Sequence, residues 1–244
     1  MSAGLEIRNL VSGYGELKII RGLSLSCEPG QITVLLGRNG AGKTTTLKTV
    51  AGLLPAKEGE VLVFGEKQTG TAPKRVAAGM ALVQEGKRIF RARTVEDNLR
   101  LGAYLQRRQR GFVDEGIESA YTRFPILKGK RNQAAGLLSG GQQQMLSIAQ
   151  ALMPKPKVLM LDEPSAGLAP AIVEEVFGSI SDLKADGLCV LLVEQLIDNS
   201  LAIADRVAVL DRGTIQLESA VSELASWDVL REIYLGADVH VEKP

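Results

Sequence analysis

The chain is poor in the residue types on which much hydrolytic and redox chemistry depends. It holds one histidine, His240, in 244 residues. That excludes a multi-histidine metal site and leaves a histidine general base nowhere to stand except near the C-terminus. Its two cysteines, Cys27 and Cys189, form no CxxC pair, which argues against a zinc cluster or a dithiol redox motif. Both lie among apolar residues and read as small buried hydrophobes of a reduced compartment. An excess of one charge is also missing. Lys+Arg number 29 against 28 Asp+Glu, a net +1, so no basic footprint for nucleic acid is present. Long hydrophobic runs are absent too. The apolar stretches 158–161 and 188–193 are of strand length, whereas a membrane helix needs roughly 20 residues. The start, Met1 to Glu6, lacks the basic and apolar regions of a signal peptide. The expectation is a soluble, cytosolic chain that reaches a membrane only through a partner.

What is present is an alternation of strand and helix patterns punctuated by 26 glycines. Leu5 and Ile7, then Leu23, Leu25 and Cys27, alternate with polar residues as in half-buried strands. Ile32-Thr33-Val34-Leu35-Leu36 suits a strand covered on both faces. Residues 44–54 read as a helix and 60–64 as an edge strand. From 84 to 153 the pattern is mostly helical, with helices expected near 94–110, 117–124 and 139–153. Thr94 to Asp97 fits a capping box at the first of them. Alternation then resumes: strand 158–161, helix 171–185, strand 188–193, helix 198–203, strand 207–210, and a turn at Gly213. A helical tail is expected over 221–235, in which Trp227, at helical spacing from Leu224 and Leu230, serves core or subunit packing. The length and this order predict an α/β domain with an embedded helical subdomain.

Gly37-Arg38-Asn39-Gly40-Ala41-Gly42-Lys43-Thr44 matches G-x-x-x-x-G-K-[ST] between an apolar strand and a helix. Gly37, Gly40 and Gly42 let the backbone approach phosphate oxygens and adopt positive φ. Lys43 brings a compact cation, and the Thr44 hydroxyl suits Mg²⁺. The strand 158–161 ends in Asp162 and Glu163. Beside a phosphate loop, Asp162 suits the Mg²⁺ shell and Glu163 suits activation of water. The bland alternative is that the two carboxylates only cap a strand before Pro164. Leu138-Ser139-Gly140-Gly141-Gln142 reads as a capped helix start with free N–H groups, a second anion-binding surface. Such a surface makes sense if it faces a phosphate held by another subunit.

On these motifs, in this order and over about residues 5 to 236, the chain resembles the ATP-binding subunits of ABC transporters. The resemblance implies a P-loop NTPase fold of the ABC ATPase type, with an antiparallel β subdomain and an inserted helical subdomain. It places the ATPase domain at 1–237, the helical part at about 85–153 and a flexible tail at 238–244. It implies ATP and Mg²⁺ as cofactors, with Tyr14 stacking on adenine and Gly37, Asn39, Gly40, Ala41, Gly42, Lys43, Thr44 and Thr45 binding ATP. Thr44, Gln84 and Asp162 would serve the metal, and Glu163, Gln195 and Gln84 catalysis. Ser139, Gly140, Gly141 and Gln142 would form the signature loop acting on the partner's nucleotide.

The family's switch histidine falls on Gln195, in Leu191-Leu192-Val193-Glu194-Gln195. A glutamine can hold groups in place but cannot carry a proton as imidazolium, which shifts the catalytic load to Glu163. With Gly86-Lys87-Arg88-Ile89-Phe90 and Ser165-Ala166-Gly167-Leu168-Ala169-Pro170, this substitution resembles the second ATPase of high-affinity branched-chain amino acid uptake systems. The implied partners are a sister ATPase in a heterodimer, two membrane permeases and, indirectly, a periplasmic binding protein, with no nucleic acid. The implied place is the cytoplasmic face of the inner membrane. Urea and short-chain amide importers have similar subunits. The remaining alternative is a weakly hydrolysing regulatory module.

Overall fold

The computed structural model describes residues 3–224. Its strands are β1 (Leu5–Tyr14), β2 (Leu17–Cys27), β3 (Ile32–Leu36), β4 (Ala56–Val63), β5 (Glu66–Lys67), β6 (Met80–Val83), β7 (Val158–Asp162), β8 (Cys189–Glu194), β9 (Arg206–Asp211) and β10 (Thr214–Ala220). Its helices are α1 (Lys43–Val50), α2 (Ala72–Ala77), α3 (Val95–Gly102), α4 (Phe112–Arg123), α5 (Pro125–Lys128), α6 (Gly140–Leu152), α7 (Pro170–Ser181) and α8 (Ile197–Ile203). One antiparallel sheet runs β2-β1-β4-β5 and the other β10-β9-β3-β8-β7-β6. In the second, β9, β3, β8, β7 and β6 are parallel and β10 returns antiparallel along its edge.

The period of two along each parallel strand decides which layer a side chain enters. Val34, Leu36, Leu159, Leu161, Val190 and Leu192 pack toward the layer that includes α3, α4, α6 and α7. Leu35, Val158, Met160, Leu191 and Val193 pack the other way, against α1 and the antiparallel sheet. With both faces covered, these strands carry almost no polar residues before their carboxyl ends. Helices α3 to α6 all fall between β6 and β7 in the chain.

Several expectations need correction. The strand near 60–64 is no edge: β4 lies between β1 and β5. Helix α1 stops at Val50 rather than 54. Gly52 there has φ +73°, and a Cβ on it would sit 3.0 Å from the Ala72 amide nitrogen, so no other residue suits that stop. Helix α3 stops at Gly102, where a Cβ would lie 2.3 Å from the Gln150 carbonyl oxygen of α6. Helix α2 had no counterpart in the pattern. Its six residues are too few for a periodic signal. No helix begins at Val221. Residues Val221–Glu223 form a 3₁₀ turn and Leu224 is extended. The rest of the expected tail helix, with Trp227 and His240, lies outside the described residues. Among the described residues no helix is long and apolar enough to cross a membrane.

Candidate functional site

The loop 37–44 leaves the carboxyl end of β3 and enters α1, and its three glycines meet different demands. Gly37 is needed for space, because a Cβ there would lie 2.5 Å from the Leu210 carbonyl oxygen. Gly40 is needed for conformation, with φ +84° and open surroundings. Gly42 is needed for both: φ is +114°, and a Cβ would sit 2.7 Å from Ile20 of β2. Asn39 and Gly40 are exposed, while Ala41, Gly42, Lys43 and Thr45 are buried and Thr44 is half-buried. The Lys43 ammonium folds back over the loop and donates to the Gly37 carbonyl at 2.7 Å. Tyr14, half-exposed at 50%, ends β1. Two residues earlier, Ser12 accepts a hydrogen bond of 2.9 Å from Thr49 of α1, which ties this strand to the phosphate-loop helix.

Strand phase brings the carboxylates to the loop. Val158 and Met160 face α1, so Asp162 does too, and the Thr44 hydroxyl donates to its Oδ1 at 3.1 Å. Burial pushes the Asp162 carboxyl up to about 6, helped by the nearby Glu163 and Glu85 charges, while the Thr44 bond works against the shift. Glu163 does not follow strand alternation, because the strand has ended and its φ is +47°. This strained backbone turns the side chain toward Lys43, whose Nζ is 3.5 Å from Oε1. The Gln195 amide donates to Glu163 Oε2 at 2.6 Å. One carboxylate therefore spans the phosphate-loop lysine and the glutamine at the end of β8. Gln84 follows Val83, which pairs with Leu161, so it sits at the strand end beside Asp162. Its side chain takes no part in the Thr44–Asp162 pair.

Residues 138–142 lie elsewhere. Ser139 and Gly140 are exposed, Gly141 is buried and Gln142 half-buried. Ser139 Oγ accepts from the Gln142 amide at 3.3 Å, and Gln142 Oε1 accepts from the Ser139 amide at 3.2 Å, a complete capping box. A Cβ on Gly141 would lie 2.3 Å from Ile172, so glycine here lets α6 close on α7. Helix α6 packs on β6, three strand positions from β3, or about 14 Å at the usual strand spacing. The turn thus stands apart from the phosphate loop of its own chain.

Comparison with known proteins agrees with this layout. Residues 20–166 match the family model described as ABC transporter. The chain is 39% identical over 224 residues to the high-affinity branched-chain amino acid transport ATP-binding protein BraG of Pseudomonas aeruginosa, covering 91% of this chain and 95% of that one. This chain belongs to the ABC transporter family. It is also 36% identical to a probable branched-chain amino acid transport ATP-binding protein LivF of Archaeoglobus fulgidus, over 93% and 96% of the two chains. The crystal structure of the ADP conformation of MJ1267, an ATP-binding cassette of an ABC transporter, superposes with a TM-score of 0.82 at 30% identity. That match covers 97% of this chain and all of the other.

The chain is thus an ABC ATPase with the P-loop α/β fold. Its fold brings to one edge Glu194, for which the motifs imply no role, and Ser165 of the turn after β7. Glu194, 1% exposed, ends β8 on the opposite face from Val193. Its Oε1 accepts from the Ser165 amide at 2.9 Å and its Oε2 from the Gln195 amide at 3.1 Å. Burial raises its carboxyl above the ordinary range, against the pull of these bonds. A charged residue closing an otherwise apolar strand was the available signal. Ser165 lies in the 165–170 motif, but what it gives Glu194 is a backbone N–H, which residue type does not reveal.

Proposed function

We propose that this chain is the ATP-hydrolysing subunit of an importer of branched-chain amino acids. The observation that carries the catalytic part is the placement of Glu163 between Lys43 and the Gln195 amide, at the mouth of a phosphate loop. In this reading Lys43, Thr44, Thr45 and the free N–H groups of residues 37–44 bind the ATP phosphates, and Tyr14 stacks on adenine. Glu163 takes a proton from the attacking water, and Gln195 holds the carboxylate oriented. Catalysis is then mostly positioning and electrostatic stabilisation of the transferred phosphoryl group.

The residues present also fit Mg²⁺. Thr44 Oγ1 and Asp162 Oδ1 are hard oxygens 3.1 Å apart at the phosphate loop, and a cation there would return the raised Asp162 carboxyl to its charged form. Among the described residues no group of three or more His, Cys, Asp or Glu side chains is placed to hold a metal; Mg²⁺ needs few protein ligands because it keeps waters and phosphate oxygens. Bound there by Thr44 and Asp162, with Gln84 adjacent, the ion would supply charge neutralisation to the phosphates.

Ser139, Gly140, Gly141 and Gln142 act on the nucleotide of a second ATPase subunit. Their self-contained, exposed turn supports this, and we assign the second subunit as a sister ATPase. The ATPase domain is placed at 1–237, with its helical subdomain at about 85–153. The permease contact is assigned to that subdomain, where Phe90, Leu101, Tyr104 and Leu105 are exposed apolar residues. Buried Asn98 holds the Phe90 backbone through two hydrogen bonds, of 2.8 and 3.1 Å, and so fixes this surface to α3. The complex would sit at the cytoplasmic face of the membrane, fed by a periplasmic binding protein. The amino acid assignment is supported by the names of the two relatives; urea or short-chain amides are the second reading. Reconstitution in proteoliposomes with candidate permease subunits and a sister ATPase tests both. ATP-dependent uptake of leucine, isoleucine and valine is expected. Uptake of urea instead would select the second reading, and absence of ATP hydrolysis would overturn the ATPase role.

A further inference from the structure

We infer that Glu194 is a positioning residue that clasps the turn after β7 to the switch glutamine and thereby holds Glu163 in its working orientation. The inference rests on the hydrolytic role proposed for Glu163.

Glu163 sits in a left-handed backbone conformation that an L residue with a long side chain seldom adopts. Such a conformation persists only when its surroundings impose it. Three ties do so. The Glu163 amide donates to the Val193 carbonyl at 2.9 Å, which anchors the start of the turn to β8. The Ala166 amide donates back to the Glu163 carbonyl at 3.1 Å and closes the turn on itself. The third tie is Glu194, whose Oε1 receives the Ser165 amide.

The other oxygen of Glu194 receives the amide of Gln195, the residue whose side chain reaches Glu163 Oε2. One buried carboxylate therefore fixes both ends of the arrangement: the turn that carries Glu163 and the residue that orients it. Ala166 and Gly167, next along the same turn, are exposed. Contact on that exposed tip has a short route to the catalytic carboxylate, through the Ser165 amide, Glu194 and Gln195.

A carboxylate suits this clasp because both of its oxygens accept. Glutamine would keep one acceptor and turn an NH₂ toward the other backbone N–H. Alanine would remove both. The effect of substitution should therefore be graded, with an orphaned buried N–H at each step.

The test uses the full chain assembled with its partner subunits. Turnover, ATP affinity and melting temperature are measured for wild type, Glu194→Gln, Glu194→Ala, Glu163→Gln and the Glu163→Gln/Glu194→Ala double variant. We expect Glu194→Gln to lower kcat about tenfold and Glu194→Ala about a hundredfold, with ATP Kd within about twofold of wild type. The double variant should be no slower than Glu163→Gln alone, because the clasp acts through that carboxylate. Wild-type kcat in Glu194→Ala would overturn the inference, as would a parallel loss of ATP affinity, or further slowing in the double variant. If Glu194→Ala does not fold, unchanged kcat in a folded Glu194→Gln overturns it equally. Failure of the underlying reading shows separately, as wild-type turnover in Glu163→Gln.

Discussion

Residues 37–44 and residues 138–142 use the same local device, a glycine-containing turn that delivers free N–H groups at a helix start. They are finished in opposite ways. Around the first, side chains from distant parts of the chain converge: Thr44 bonds Asp162, Glu163 meets both Lys43 and Gln195, and Glu194 ties the neighbouring turn. Lys43 is only 5% exposed. The second satisfies itself locally, Ser139 with Gln142, and leaves Ser139 and Gly140 open to solvent. One region is a braced chemical site. The other is an exposed turn capped by its own residues, which supports the proposal that it serves a partner's nucleotide.

Substitutions can break this contrast. The largest effect is expected from Glu163→Gln, which should slow ATP hydrolysis by about 10²- to 10⁴-fold while ATP still binds, as measured by steady-state phosphate release and nucleotide titration. Wild-type turnover would remove the carboxylate from its role. Lys43→Ala should weaken ATP binding about a hundredfold in the isolated subunit, because it deletes the buried cation of the loop, Arg38 being exposed. Ser139→Ala should leave that isolated affinity unchanged. It should lower turnover of the assembled ATPase pair about tenfold and cost about 1 kcal/mol of stability through the lost cap. A loss of ATP affinity by the lone subunit would show that the two regions share one nucleotide.

An effect on stability alone is expected at Asp162 in the metal-free protein. Its folded carboxyl lies at about 6 against an ordinary 3.8, so the native state holds the proton more tightly than the unfolded chain. Stability then rises as pH falls from about 6 toward 4, and the full cost of the buried charge is felt above 6. Asp162→Asn should therefore stabilise the metal-free protein at pH 7 to 8, by up to about 3 kcal/mol, read as a higher melting temperature. The gain should shrink toward pH 4. An equal gain at both pH values would assign it to packing rather than charge.

Much of the site could be read in the sequence because its motifs are contiguous. The phosphate loop, the strand ending in Asp162-Glu163 and the Ser139 cap each need only local geometry. The helix boundaries were less legible. At the helix ends Gly52 and Gly102 leave room for the Ala72 amide and the Gln150 carbonyl, which a side chain would meet, and neither neighbour is close in sequence. Strand order was hidden for a similar reason. Whether β4 is central or at the edge depends on the two-residue β5, too short to leave a pattern.

The residues fixed by themselves the period of each strand, the conformational freedom of the loops and the absence of an imidazole that could serve as the switch. The sequence has its one histidine at 240, and the family resemblance puts Gln195 at the position where a histidine is usual. Tertiary structure decided what that glutamine does. Only the parallel pairing of β7 with β8 brings residues 163 and 195 within hydrogen-bonding reach. Only the end of strand alternation at Glu163, with its left-handed backbone, turns that carboxylate toward Lys43. Period along a strand is a local property of the chain; which strand lies beside it depends on how the whole core packs.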